Sequence, residues 1–385
     1  MTERLYYADS HLAVFDAKVL RCETAGNGFA VVLDRTAFFP EGGGQYADVG
    51  TLGGARVTDA QERGGEIVHF CDKALTAGET VRGEIDFSLR FSRMQNHSGE
   101  HIVSGLVHGW FGFDNVGFHL SDDDMTVDYN GVLTRADLDR VEDAANDAVA
   151  RNIEICTDFP DPAVLPRMQY RSKLELTENV RLVTIGEIDC CACCAPHVSF
   201  TGEIGAIKIL DFEHYKGGVR CHMACGSRAM DDYRVKYENI RQISSLLAVP
   251  QAETAEAVGR LLEGGKQKDY DVTALRRALA LQAMEHGCRS GALLCFFADA
   301  LCDADSVRFA VNCGMERADV CAGFLPTDDG FRYCIGSNGV DLRAKAREIN
   351  ALLNGRGGGQ PTMMQGTARA PQAEILSALA DCFAP

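Results

Sequence analysis

Apolar and polar positions along this chain change their spacing twice, and the changes mark three stretches. From residue 1 to about 89, short alternating segments (HLAVFDAKVL, GFAVVLDRT, EIVHFC and TVRGEIDF) are separated by glycine-rich breaks. Side chains of a strand point alternately to its two faces, so 1–89 is predicted to form a small antiparallel β-barrel. From about 90 the spacing lengthens to that of a helix. SRMQNHSGEHIVSGLVHGWFGF puts Met94, Ile102, Val103, Leu106 and Val107 on a mostly buried helical face. A second helix fits TRADLDRVEDAANDAVARN, and strands fit VRLVTIGE and IGAIKILDFEHY, which makes 90–245 a mixed region. Further on, TAEAVGRLLEGGKQKDYDVTALRRALALQAMEHG reads as helical with a break near Gly264 and Gly265. Its Val258, Leu261, Leu262, Leu275, Leu279 and Leu281 lie in or near helical register and are expected to pack in a core rather than face a partner. The apolar runs GALLCFF, SVRFAVN, DVCAGF and FRYCIGS predict strands interleaved with helices, so 250–385 is expected to be a separate α/β domain. The fold class expected of the whole is α+β.

Composition narrows the class. With 385 residues, 46% hydrophobic and 24% charged, the chain has material for two or three globular domains. The N-terminal MTERLYYADSHLAVFD lacks a basic start followed by an apolar core, and no apolar run approaches the ~18 residues that span a bilayer. A reducing cytoplasm is therefore the expected compartment. The 16 cysteines are scattered, and Cys295 and Cys321 sit among apolar residues, where a thiol behaves as a small hydrophobe. The net charge of −17 argues against a general nucleic-acid binder. Between Asp341 and Arg369, however, Arg343, Lys345, Arg347, Arg356 and Arg369 outnumber Asp341 and Glu348. That local basic strip suits either one structured RNA or a solvated charged helix face.

The chemistry concentrates in two pairs: His97 and His101 in QNHSGEH, and Cys193 and His197 in CCAPH. Positions four apart on a helix lie one turn away on the same face, about 6 Å along the axis, so two imidazoles there can converge on one ion. A Cys and a His from a loop between two predicted strands would complete the four ligands of a tetrahedral zinc site. Cys190, Cys191 and Cys194 are alternative ligands, and a CxxC arrangement (Cys190 with Cys193, or Cys191 with Cys194) stays open. Gly42, Gly43 and Gly44 in FFPEGGGQYADVG permit either close backbone approach to a ligand or a plain turn. LNGRGGGQPTMMQG, with five glycines around Arg356, could offer amides and a guanidinium to a phosphate or a carboxylate, or be a flexible surface loop. Residues 97–101 also spell H-x-x-E-H, the signature of inverted zinc metallopeptidases, in which Glu100 would be the general base and a downstream acid the third ligand.

Taken together, QNHSGEHIVSGL, CCAPHVSFTGEIGAIKI and GGVR resemble the editing domain of alanyl-tRNA synthetases and their free-standing relatives, the AlaX editing proteins. FFPEGGGQYADVG is similar to the glycine-rich loop of that family. LNGRGGGQPTMMQG resembles the C-terminal domain shared by alanyl-tRNA synthetases and DHH-type phosphoesterases, here called DHHA1-like. The likeness spans nearly the whole chain in the family's order, and because the chain begins almost directly with the barrel, the long free-standing form is the expected match. The resemblance implies hydrolytic deacylation of mischarged alanine tRNA in trans, chiefly of serine and also of glycine, by an aminoacyl-tRNA deacylase with one zinc ion. It makes His97, His101, Cys193 and His197 the metal ligands. Thr36 falls where the family places a hydroxyl for the serine side chain, and Gln45 matches a residue of the editing pocket. Gly43, Gly44, Arg220 and Arg356 are expected on the substrate side, and a homodimer through the C-terminal half is expected. One departure is visible: relatives commonly carry Gly-Thr where this chain has Ala195-Pro196, and the proline stiffens the loop and removes one donor. Four protein ligands would close the zinc shell, so the resemblance favours a metal that positions substrate over one that carries the attacking water. It gives Glu100 no task, so Glu100→Gln is expected to spare deacylation. A protein that only captures tRNA around a structural zinc is the remaining alternative.

Overall fold

The computed structural model describes residues 1–122, 124–172 and 180–384. The chain is mixed α+β and divides into two compact units, 1–239 and 240–385. In the first unit, the strands Val14–Ala25, Gly28–Leu33, Glu66–Cys71, Ala55–Arg63, Gly50–Leu52 and Thr80–Ile85 pair in that order and close on themselves, every pair antiparallel. Alternation drives the closure: Phe15, Ala17 and Val19 turn inward along the first strand and meet Val31, Leu33, Val57 and Ile67. Burying such side chains contributes roughly 1.5–3 kcal/mol each.

A 25-residue helix, Phe87–Phe111, follows the ring. Asp86 caps its first turn by accepting from Leu89 N, and Gly112, at φ +68°, ends it in the left-handed conformation. Arginines fasten this helix to the ring. Arg90 is buried, donates to both oxygens of Asp48, and reaches the carbonyls of Ala37 at 2.7 Å and Ser10 at 3.0 Å. Arg93 donates to Ala47 O at 2.6 Å and to Asp122 at 2.6 Å. Two further antiparallel sheets flank the helix. One has the order Ile207–Tyr215, Gly218–Cys225, Met125–Tyr129, Asn115–Leu120; the other runs Ile155–Asp158, Leu182–Ile185, Asp189–Ala192. The helix Arg135–Ala150, opened by a Thr134–Asp137 capping box, buries Leu138, Val141, Ala145 and Ala148 in the same core.

The second unit holds a six-stranded sheet in the order Cys288–Ser290, Leu293–Phe297, Val320–Thr327, Gly330–Ser337, Met363–Ala368, Arg356–Gln360. Four sequence expectations are corrected there. SVRFAVN, predicted as a strand, lies in the helix Ala304–Gly314, capped by Asp303 and burying Val307, Ala310, Val311 and Gly314. Its alternation of Val307, Phe309 and Val311 imitates a strand, but the cap and the i, i+3, i+4 spacing prevail. The break expected near Gly264 and Gly265 is absent, because the helix Thr254–Glu285 runs through both. Of the six apolar positions expected in a core, Leu279 and Leu281 pack against one; Val258, Leu261, Leu262 and Leu275 are exposed, the last three by more than 60%. Finally, the glycine-rich stretch around Arg356 is no loop but the edge strand Arg356–Gln360, paired with Met363–Ala368. A Cβ on Gly357 would stand 2.1 Å from the Tyr333 hydroxyl, so the glycine serves close strand packing. Among the described residues, no helix is long and apolar enough to cross a membrane.

Candidate metal centre

The helix Phe87–Phe111 sets His97 and His101 one turn apart, with ring centres 5.4 Å from each other. Cys193 and His197 arrive from the segment that follows the strand Asp189–Ala192. Arg181 shapes that segment, donating from one guanidinium nitrogen to Cys193 O at 3.0 Å and Ala195 O at 2.9 Å. The four ligand atoms all lie within 4.8 Å of one another, so the cluster could hold a metal ion. Cys193 Sγ is 3.6 Å from His97 Nε2 and 3.4 Å from His197 Nε2.

The donor chemistry fits a soft divalent cation. Each imidazole has a partner on its Nδ1: Gln45 Oε1 at 2.8 Å for His97, Asp189 Oδ2 at 3.0 Å for His101, and Ser98 Oγ at 2.9 Å for His197. With Nδ1 engaged, Nε2 remains for an ion, the arrangement in which outer partners fix ring and tautomer. Arg171 adds a second layer by donating to both oxygens of Asp189, at 2.7 and 2.9 Å. Charge follows the same plan. Burial raises the Cys193 thiol, but the imidazoles of His97 and His197 outweigh it and hold it well below the usual thiol range. Burial lowers His101, but Asp189 and Cys193 outweigh it and hold that imidazole well above its usual value. His197, buried, is pushed down to about 3. The surroundings thus favour the thiolate of Cys193, the form in which a cysteine binds a cation.

The alternative cysteines stay outside the four-ligand cluster. Cys190 accepts from Thr184 Oγ1 at 3.5 Å, Cys194 is exposed, and neither joins the four. Cys191 groups with His101 and Asp189 in a smaller set of three potential ligands, whose carboxylate the Arg171 guanidinium already engages. Successive residues of the strand Asp189–Ala192 face opposite sides, which separates Cys190 from Cys191. The third and fourth members beside H-x-x-E-H are Cys193 and His197, and the downstream acid of a metallopeptidase is not among them.

The other expected residues are spread more widely. Gln45 is fully buried against His97, and its Nε2 has no hydrogen-bond partner among the described residues. Gly44, at φ +84°, lies so close to Phe118 that a Cβ would stand 2.7 Å from its carbonyl oxygen, and the Phe118 ring lies 4.8 Å from that of His97. A Cβ on Gly43 would lie 3.5 Å from Cys194 Sγ. Thr36 is inside the closed ring, fully buried, its hydroxyl 2.8 Å from His69 Nε2 and accepting from Phe38 N at 3.1 Å. Arg220 is engaged by both oxygens of Asp128, at 2.6 and 2.8 Å, and stacks 3.8 Å over Tyr215. Arg356 is exposed on the edge strand of the second unit. Sequence reasoning missed Asp189, Arg171, Ser98 and Arg181. Only Ser98, inside the histidine motif, carried any local signal.

Comparison with known proteins agrees with this architecture. The family model described as the threonyl and alanyl tRNA synthetase second additional domain matches residues 180–222, which include Cys193 and His197, and that of the class II (A) tRNA synthetases matches residues 2–89. The chain is 26% identical over 393 residues to the alanyl-tRNA editing protein AlaX-L of Pyrococcus horikoshii, covering 98% of this chain and 97% of that one. It is 29% identical over 396 residues to the alanine–tRNA ligase of Halorubrum lacusprofundi, covering 97% of this chain and 42% of the ligase. With the ligase of Natronomonas pharaonis it shares 34% over 304 residues, 74% of this chain and 32% of the ligase. The chain therefore spans well under half the length of the ligases it matches. This protein belongs to the family formed by the editing domains of alanyl-tRNA synthetases and the free-standing AlaX proteins.

Proposed function

We propose that this protein is an aminoacyl-tRNA deacylase that hydrolyses mischarged alanine tRNA in trans, removing serine and, second to it, glycine, in the cytoplasm. The observation that carries the reading is the convergence of His97, His101, Cys193 and His197 from two remote segments into one buried cluster. We assign these four as ligands of one zinc ion. When bound, zinc would supply a fixed positive centre for placing the aminoacyl end.

The protein's own groups do the rest. The amide nitrogen of Gln45 has no partner among the described residues, so it is the donor available to a substrate oxygen at the cluster. Gly43 and Gly44 keep the approach free of side chains beside Cys194 and Phe118. We keep Thr36 as the hydroxyl that discriminates serine. The Nδ1 of His69 is 3.1 Å from Val31 O, and burial holds the ring neutral by pushing its pKa down to about 4. Nδ1 then carries the proton, Nε2 accepts the Thr36 hydroxyl proton, and the threonine oxygen keeps a lone pair for an incoming donor. A site that hydrogen-bonds a hydroxyl rejects an analogue lacking it strongly. Arg220, bound to Asp128, orders the hairpin that would meet the tRNA, whereas Arg356 is free to contact phosphate. The exposed Leu261, Leu262 and Leu275 suit a homodimer through the C-terminal half.

The test is loss of the ester bond from seryl-tRNA for alanine, followed with and without a chelator. Rapid deacylation that collapses when metal is stripped is the expected result. Tight tRNA binding without deacylation would replace the enzyme with a capture protein.

A further inference from the structure

Glu100 lies between His97 and His101 in the chain and is not among the four ligands. The Glu100 side chain is only 5% exposed. Its Oε1 accepts from Asn115 Nδ2 at 2.6 Å and from the Ser104 hydroxyl, which also lies 3.0 Å from the Tyr129 hydroxyl. Its Oε2 receives no hydrogen bond among the described residues, and it stands 4.0 Å from His101 Nε2, the nitrogen turned to the cluster. The carboxylate is thus anchored through one oxygen and offers the other on the His101 side of the cluster. Oε2 is therefore open to a donor that arrives with the reaction.

The identity of that donor follows from the ligand count. Four protein ligands fill the usual zinc shell, so the hydrolytic water needs a holder other than the metal. We propose that Glu100 Oε2 holds the water and aims it at the aminoacyl carbonyl, an assignment that rests on the deacylase reading. The water oxygen bonds to the carbonyl carbon, and the bond from that carbon to the ribose oxygen breaks. The amino acid leaves as the free acid, and the proton shed by the water passes by way of Oε2 to the ribose oxygen. This reverses the sequence expectation that Glu100→Gln spares deacylation.

The experiment uses the full zinc-loaded chain and Glu100→Gln, which keeps an acceptor for Asn115 and Ser104 but turns a donor toward the water. For seryl-tRNA, kcat is expected to fall about 10²–10⁴-fold, with KM, zinc content and melting temperature unchanged. Binding of a non-hydrolysable seryl amide of the terminal adenosine, measured by calorimetry, should also match the wild type. Three results overturn the assignment: kcat retained, a KM that rises while kcat holds, or loss of zinc from the variant. If the wild type itself leaves seryl- and glycyl-tRNA intact, the deacylase reading falls and this assignment with it. An active wild type beside an unimpaired variant removes the assignment alone.

Discussion

Two long helices in this chain are inverted relative to ordinary amphipathic design, in opposite senses. Phe87–Phe111 buries Arg90, Arg93, Asn96, His97, Ser98, Glu100, His101 and Ser104. Thr254–Glu285 instead leaves Val258, Leu261, Leu262, Tyr270, Val272 and Leu275 in solvent. Buried polar groups are tolerated only with partners, and the first helix finds them for nearly every group: Asp48 for Arg90, Gln45 and Asp189 for the histidines, Asn115 for Glu100. Polarity inside therefore marks chemistry. The second helix has no such network, and its apolar exterior marks a surface rather than a reaction centre.

Three changes break or sharpen this contrast, taken in falling order of effect. Cys193→Ser removes the thiolate from the polar interior, and zinc affinity should drop by more than the ~100-fold typical of outer-layer changes, with deacylation lost alongside. Metal analysis of the purified variant after dialysis reads it directly, and full zinc retention would dissolve the proposed centre. Asp189→Asn keeps an oxygen for His101 Nδ1 but deletes the charge that Arg171 matches. A fall of about 10–100-fold in zinc affinity is expected by competition with a chelating dye; an unaltered constant would reduce Asp189 to packing. The mildest change belongs to the other helix. Gly264 and Gly265 have open space where a Cβ would go, so replacing each by alanine should stabilise the protein by about 1 kcal/mol. Guanidinium midpoints report it, and a loss of stability would mean that something covers that face.

The same contrast explains what the sequence made legible. His97 and His101 could be read because helical spacing is local, and Cys193 with His197 because a loop between strands has few ways to point. The ring strands followed from alternation, as at Phe15, Ala17 and Val19. The helix Ala304–Gly314 was misread because Val307, Phe309 and Val311 alternate, whereas the buried face is Val307, Ala310, Val311 and Gly314 at helical spacing. Gly264 and Gly265 suggested a break because each costs a helix about 1 kcal/mol, an amount that a 32-residue helix absorbs. The strand at Gly357 was hidden because its cause, the Tyr333 hydroxyl, lies more than twenty residues away in sequence. Asp189 and Arg171 were invisible for a similar reason: their meaning exists only once His101 is beside them.

Ser98 has one more consequence. Its hydroxyl oxygen meets both His197 Nδ1 and Val198 N, while Ser10 donates to His197 O, so protein contacts alone already tie the loop to the helix. Under the proposed zinc assignment, this latch would hold the loop in place when the ion leaves, so recharging would call for ion uptake alone.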